Sequence, residues 1–389
     1  MIGARLGAGS VTLGRDALAP AALRDASGRF ALLDLGAAAS IRDAWRGLTG
    51  RVAEDNLFFD PDFAFAAMRT LGPDVRLATW HDRAGMLAGL APVTATRLGR
   101  IAPAIRLWSH DYGPLAVPLI GRGQVGAAID GLLGGLAGSG SLILPDLWLD
   151  GDVADAVRAF AAESGRPLVV IGEKSRAMLA GSPTGGADCR ATLSARRRGE
   201  YARQMRRLGD LGTVTIESSG DPVHFEEFLA LEASGWKGHG GTAMQGIVPI
   251  AAMAREIVAA KAARGALRID AIRLDGRAIA MLVSFLSGET AYSWKIAFDE
   301  SFARFSPGAQ LMMEAGRSLS SIPGIRRVDS CAEANHPMVD HVWKDRRAIA
   351  TMVIGPVGGG ALFKAGLAAM RGEIAARATA KRLIQRFRK

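Results

Sequence analysis

The chain has 389 residues, 49% of them hydrophobic and 22% charged, a composition that excludes wholesale disorder and allows two domains of ordinary size. Its two cysteines, Cys189 and Cys331, are far apart and its six histidines form no H-E-x-x-H, which excludes a disulfide framework, a structural zinc site and a zincin; no metal is expected. The net charge of +10 lies in two places: seven arginines against one acid between Arg190 and Leu208, and eight Lys or Arg against one acid between Gly360 and Lys389. Such segments suit phosphate-rich partners, whether a cofactor pyrophosphate, nucleic acid or an anionic membrane, or else form ordinary solvated helix faces.

In chain order, MIGARLGAGSVTLGRD lacks the apolar core of a signal peptide, so a cytoplasmic protein is expected. Val75 to His81 reads as a strand, Asp82-Arg83-Ala84-Gly85 as a turn, and Met86 to Thr96 as the return strand. A loop at Asp111-Tyr112-Gly113-Pro114 leads to a helix from Gln124 to Ala137 and a strand from Leu142 to Leu149. The Gly-rich stretch Gly131 to Pro145 is too short to span a membrane. A helix from Val153 to Ser164 and a strand from Leu168 to Gly172 follow, and Ala180 to Gly186 has linker composition.

The same order then repeats. Leu267 to Leu274 is a strand, Asp275-Gly276 a hairpin turn, Arg277 to Phe285 the return strand and Glu289 to Phe298 a third. The loop Ser306-Pro307-Gly308 opens a helix from Ala309 to Leu319, followed by a strand from Arg326 to Cys331. A helix around Met338 to Trp343 and a strand from Ala348 to Ile354 close the repeat. Two α/β units of one order, residues 1–186 and 187–358, account for the chain, with a basic amphipathic helix at 359–389. In that last helix Phe363, Leu367, Met370 and Ile374 recur at helical spacing, and Leu383, Ile384 and Phe387 continue less regularly. A basic helix of this kind either lies on an anionic membrane surface or packs on its own body.

The loop at Arg304-Phe305-Ser306-Pro307-Gly308-Ala309-Gln310 has the makings of an anion site. Ser306 can cap the helix, Pro307 suits its first position, Gly308 lets a ligand approach, and the helix dipole and Arg304 attract negative charge. An ordinary Ser-Pro helix start has the same sequence. Strict alternation along the preceding strand puts Tyr292, Trp294, Ile296 and Phe298 on one face, and Ser293, Lys295, Ala297 and Asp299 on the other.

The run Tyr292-Ser293-Trp294-Lys295 through Gly308 resembles the signature of a branch of the GNAT superfamily, the CelD-like (BioF2-like) acetyltransferases. Glu232-Ala233-Ser234-Gly235-Trp236-Lys237-Gly238 and the Arg-rich helix Ser194 to Leu208 add to it, over about residues 190 to 355. The first half resembles the family only in element order, as in the tandem arrangement shared with Fem-type transferases. The resemblance implies two tandem GNAT-like units with mixed sheets, acyl-CoA as donor and an amine as acceptor. It implies that Arg304, Ser306, Gly308, Ala309 and Gln310 hold the donor, although the spacing of Arg304 and Gln310 departs from the family's Q/R-x-x-G-x-G/A loop. The strand before the loop would splay from its neighbour to admit the pantetheine arm.

Amide formation needs a base, and Asp329, Glu333, His336 and His341 cluster beyond the strand Arg326 to Cys331, where α/β sites form. His336 titrates near neutrality unaided; the alternative is that it caps the helix after Pro337. The Tyr that many GNAT enzymes use on the leaving thiolate is missing, since the tyrosines are 112, 201 and 292. Trp236, Lys237 and Lys295 read as acceptor-side residues. Three functions follow as expectations. The first is an acyl-CoA-dependent N-acyltransferase, peripheral at the inner membrane face, acting on an amine of an envelope precursor (an amino sugar or a lipid amine) and not on DNA. The others are a Fem-type transferase using charged tRNA and a non-catalytic module binding a phosphorylated signal molecule.

Overall fold

A computed structural model describes residues 24–25, 28–138, 140–181, 189–336 and 338–386. Most of the expected linker, Pro337 and the last three residues lie outside the described residues, as does the N-terminal segment. The fold is α/β, in two compact units. The units do not divide the chain at residue 186. In their described parts, one comprises residues 24–25, 28–61, Gly72–Lys174 and 348–386, and the other comprises Asp62–Leu71 and Ser175–Arg347. Composition marks where a chain is polar, whereas compactness follows packing, and here the long strand Leu168–Ala180 begins in one unit and ends in the other.

In the first unit the strands Gly28–Leu33, Arg76–Asp82, Leu87–Leu98 and Ala102–Leu107 are successive antiparallel neighbours. Ala102–Leu107 then pairs in parallel with Ser141–Trp148, which pairs antiparallel with residues 349–354. The turn at Asp82 is as expected: Gly85 takes φ +78°, and the Met86 N–H donates to Asp82 Oδ1 at 2.9 Å. The helix Val125–Ala137 lies tight on the strands because Gly131 and Gly135 leave room for Trp80 and Phe30. A Cβ there would sit 2.0 and 2.3 Å from those rings.

The helix Gly360–Arg386 corrects part of the membrane expectation. Phe363 and Leu367 are buried among Leu98, Ala102, Ala104, Ile143, Ile171 and Val353, and Met370 packs beside them. The start of the apolar stripe is therefore core, whereas Ile374 is exposed. The side chains of Leu383, Ile384 and Phe387 lie outside the described residues. Among the described residues no single helix is long and apolar enough to cross a membrane.

In the second unit the sheet runs Val214–Ser219, Leu267–Leu274, Arg277–Ser287 and Thr290–Phe298 as antiparallel neighbours. Asp275 and Gly276, at φ +49° and +80°, form the expected hairpin turn. Thr290–Phe298 pairs in parallel with Arg327–Asp329, whose other edge pairs with residues 178–180. The helix Pro307–Ser320 covers one face over a core that includes Ala280, Leu282, Leu311, Met312, Ala315 and Trp343. The helices His224–Ser234 and Val248–Ala262 contribute nothing to that core and cover the opposite face.

The helix expected at Met338–Trp343 does not form. The segment is a series of turns in which the N–H groups of Val339 and Asp340 both donate to the His336 carbonyl. Burial of Trp343, whose Nε1 donates to the Met312 carbonyl at 3.1 Å, fixes the chain in these turns instead.

Candidate active site

The site begins with an irregularity in the strand Thr290–Phe298. Ser284 faces Ser293 across the ladder, but Val283 faces Lys295, so Trp294 is an extra residue, a β-bulge. The expected alternation is thereby broken. Trp294 packs on Phe285 and Phe63, whereas Ile296 and Phe298 join the core beneath the Pro307 helix, on the opposite face. Pairing with Arg327–Asp329 ends at Tyr292. Past that point the neighbouring chain turns away: the Ser330 N–H donates to the Ala177 carbonyl, and Cys331 takes φ +52°.

The two chains enclose a cavity of about 340 Å³ where they part. Residues 293–298 form one wall and Ser330–Glu333, His336, Met338 and Val339 the other. Met312 closes it on one face of the sheet, and Leu231, Glu232, Trp236 and Lys237 on the other. The cavity is therefore lined from both faces of the sheet. This is the splayed arrangement that the sequence resemblance implied.

Of the expected catalytic residues, His336 and Glu333 line this cavity. Burial holds the His336 imidazole below its ordinary value; the Asp340 and Glu333 carboxylates oppose the shift and the Lys237 ammonium adds to it. His336 is consequently neutral near pH 7, the state that accepts a proton. Its Nδ1 is buried with no partner among the described residues. No helix runs over residues 338–343 for it to cap.

Asp329 is a correction. It is fully buried and does not line the cavity: its Oδ2 pairs with Arg176 Nη1 at 3.3 Å, and its Oδ1 accepts the Cys331 N–H at 2.8 Å. It holds the wall in place. His341 also lies off the cavity. Burial and the neighbouring Asp329 push the Cys331 thiol well up, which makes it a poor nucleophile.

On the acceptor side, Trp236 is 60% exposed at the cavity, and its backbone N–H donates to Glu300 Oε1 at 2.9 Å. Lys237 is no free cation. Its Nζ sits 2.6 Å from Oε1 of buried Glu232, whose Oε2 accepts the Met244 N–H at 2.9 Å. Lys295 lines the cavity, its ammonium 5.9 Å from the Trp294 ring centre.

The donor residues are placed differently from the expectation. None of Arg304, Ser306, Gly308, Ala309 and Gln310 lines the cavity. Pro307 does open the helix, but Ser306 takes φ +52° and its side chain makes no cap. Gly308 and Ala309 are buried, and a Cβ on Gly308 would lie 2.6 Å from Met338 Sδ, so Met338 covers the first turn. Gln310 is structural, its amide donating to the carbonyls of Tyr201 and Phe305. Arg304 is exposed over the Phe305 ring. Sequence reasoning missed Met338, Glu232 and Arg176; only Glu232 had a signal, since it heads the Glu-Ala-Ser-Gly-Trp-Lys segment.

The comparisons with known proteins agree with this geometry. Residues 195–344 match the family described as acetyltransferase (GNAT) domain, and this segment holds the whole cavity. Over residues 195–344 the chain is thus similar to GNAT acetyltransferase domains. It is a transferase. Two solved structures share the fold at low identity. One is a C-terminal domain assigned to a lysylphosphatidylglycerol synthetase of Agrobacterium fabrum, 11% identical with a TM-score of 0.51, covering 86% of this chain and 96% of that one. The other is FemX, 12% identical with a TM-score of 0.52, covering 80% of this chain and 95% of that one. No curated protein matches the sequence.

Proposed function

We propose that the protein is an N-acyltransferase that moves an acyl group from acyl-CoA to the amine of a membrane-associated envelope precursor, an amino sugar or a lipid amine. The observation that carries this reading is the cavity at the split in the sheet, with a neutral buried imidazole, His336, on its wall. His336 takes a proton from the acceptor ammonium, and Glu333 and Lys295 share the cavity. The free amine then attacks the thioester directly, with no enzyme nucleophile required. Arg304 and the first turn of the Pro307 helix hold the pyrophosphate once Met338 moves aside. Trp236 supports the acceptor. Exposed Lys364, Arg371 and Arg377 on the last helix supply charge for an anionic membrane surface. The name of the Agrobacterium structure, which is that of an enzyme making a lipid, agrees with an envelope acceptor.

One observation favours a second reading, a donor of charged tRNA as in Fem-type transferases. Met338 covers the helix turn on which a pyrophosphate would sit. Arg196, Arg197, Arg203, Arg206 and Arg207 stand exposed on the helix Ala195–Gly209, and no carboxylate among the described residues pairs with them. Calorimetry with acetyl-CoA and palmitoyl-CoA, and thiol release in the presence of glucosamine or sphinganine, test the first reading. Binding of neither CoA ester, with consumption of an aminoacyl-tRNA, establishes the second in its place.

A further inference from the structure

The site as described has a base and no group for the carbonyl oxygen or the leaving sulfur. Among the cavity-lining residues described, two buried side-chain polar atoms have no hydrogen-bond partner: His336 Nδ1 and Ser293 Oγ. Ser293 is 4% exposed. It immediately precedes the bulged Trp294 and is the first residue of its strand beyond the last pair with Arg327–Asp329. It therefore stands at the point where the sheet parts. A hydroxyl buried without a partner costs stability, and one that lines a cavity is placed for a ligand to complete it.

We infer that Ser293 is a catalytic residue, donating its hydroxyl proton in a hydrogen bond to the carbonyl oxygen of the acyl thioester. This rests on the acyl-thioester reading of the same cavity. The step balances without an added reagent. His336 accepts a proton from the acceptor ammonium, and the amine lone pair forms the C–N bond at the carbonyl carbon. The carbonyl π pair moves to oxygen, where the Ser293 hydroxyl holds the oxyanion while keeping its own proton. Collapse re-forms the carbonyl and breaks the C–S bond; the electron pair leaves on sulfur, which is protonated from solvent as the attacking nitrogen gives up its second proton to solvent. A serine hydroxyl is too weak an acid to protonate the thiolate outright, so its role is the hydrogen bond, the kind of donor aimed at developing charge.

Ser284 provides an internal control. It lies directly across the ladder from Ser293, is equally buried and equally without a partner, but does not line the cavity. Removing either hydroxyl relieves an unpaired polar group, so Ser293→Ala and Ser284→Ala should both keep or raise the melting temperature. Only Ser293→Ala should lose function.

The experiment uses the full chain with acetyl-CoA and CoA as calorimetric probes and glucosamine as the acceptor in a thiol-release assay. Ser293→Ala should abolish any preference for acetyl-CoA over CoA, because CoA lacks the carbonyl. It should lower kcat by about 100- to 1,000-fold, the effect of losing one such donor, and raise KM for acetyl-CoA by no more than acetyl-CoA binding weakens. Ser293→Thr, which keeps a hydroxyl, should recover much of the rate, and Ser284→Ala should match wild type. If wild type prefers acetyl-CoA and Ser293→Ala retains that preference and the rate, Ser293 is not catalytic while the acyl-CoA reading stands. If wild type binds neither ligand, the acyl-CoA reading falls and this inference with it. A fall in melting temperature for Ser293→Ala alone would make the hydroxyl structural and overturn the assignment.

Discussion

Replacing Arg176 by Met tests whether the wall opposite the bulge depends on a buried ion pair. The guanidinium lies 3.3 Å from Asp329 Oδ2, and the two side chains are 5% and 1% exposed. At an effective dielectric of about 20 the attraction over that distance is worth about 5 kcal/mol before desolvation. Removing one member strands the other charge, which typically costs about 3 to 5 kcal/mol. For a unit of this size that is a fall of about 6 to 20 °C in melting temperature. The loss should reach the site as well, because Asp329 also accepts the N–H of Cys331, a cavity residue in a left-handed conformation. Circular dichroism melts of Arg176→Met, Asp329→Leu and the double variant form the test. Each single change should be strongly destabilising, and the double change should recover most of the loss, since apolar replacement of a whole buried pair is often neutral. Single losses below about 1 kcal/mol, or a double variant equal to the sum of the singles, would refute the reasoning.

Three further outcomes are expected. The acid limb of the rate profile should fall below pH 6.5, because burial lowers the His336 value and the base works only when neutral; His336→Ala should lose that limb and about 100-fold or more in kcat, and an acid limb above 6.5 would assign the base elsewhere. Met338→Ala should uncover the first turn of the Pro307 helix and strengthen acetyl-CoA binding in calorimetry, whereas unchanged affinity would remove that turn as the pyrophosphate site. Changing Lys364, Arg371 and Arg377 to Gln should weaken binding to anionic vesicles by about two orders of magnitude at about 1 kcal/mol each, whereas truncation before Gly360 should destabilise the protein, because Phe363 and Leu367 are core; vesicle binding unchanged by the three substitutions would end the membrane reading.

Much of the fold was legible because its signals are local. Asp275-Gly276 needs nothing but its own backbone preference to turn, and the strands on either side fall within two residues of expectation. The order of strands and helices around Ser306-Pro307-Gly308 was readable for the same reason. What escaped was set by distant neighbours. Nothing in Tyr292-Ser293-Trp294-Lys295 announces that Trp294 is a bulge, since that depends on Val283 and Ser284 across the ladder. Lys237 reads as an available cation from its segment alone, but its charge is already paired with Glu232. Asp329 has the right chemistry for a base, and only Arg176, 153 residues earlier, shows that its charge is already used. The periodicity of Phe363, Leu367 and Met370 was correctly seen, but periodicity alone does not say which surface the stripe meets.

The chain's interlaced course limits how the catalytic half can be exchanged or inherited. The segment that matches the transferase family, residues 195–344, leaves out the edge of its own sheet at 178–180 and the residue that balances Asp329. It also leaves out the helix Pro61–Leu71, from which Phe63 packs on Trp294, Asp62 pairs with Arg264 and Arg69 pairs with Glu256. Recombination at the boundaries of sequence similarity would therefore transplant the chemistry without its supports. A functional chimera must take the separated stretches Asp62–Leu71 and Ser175–Arg347 at once, so the two halves are expected to travel through evolution as a single inseparable cassette.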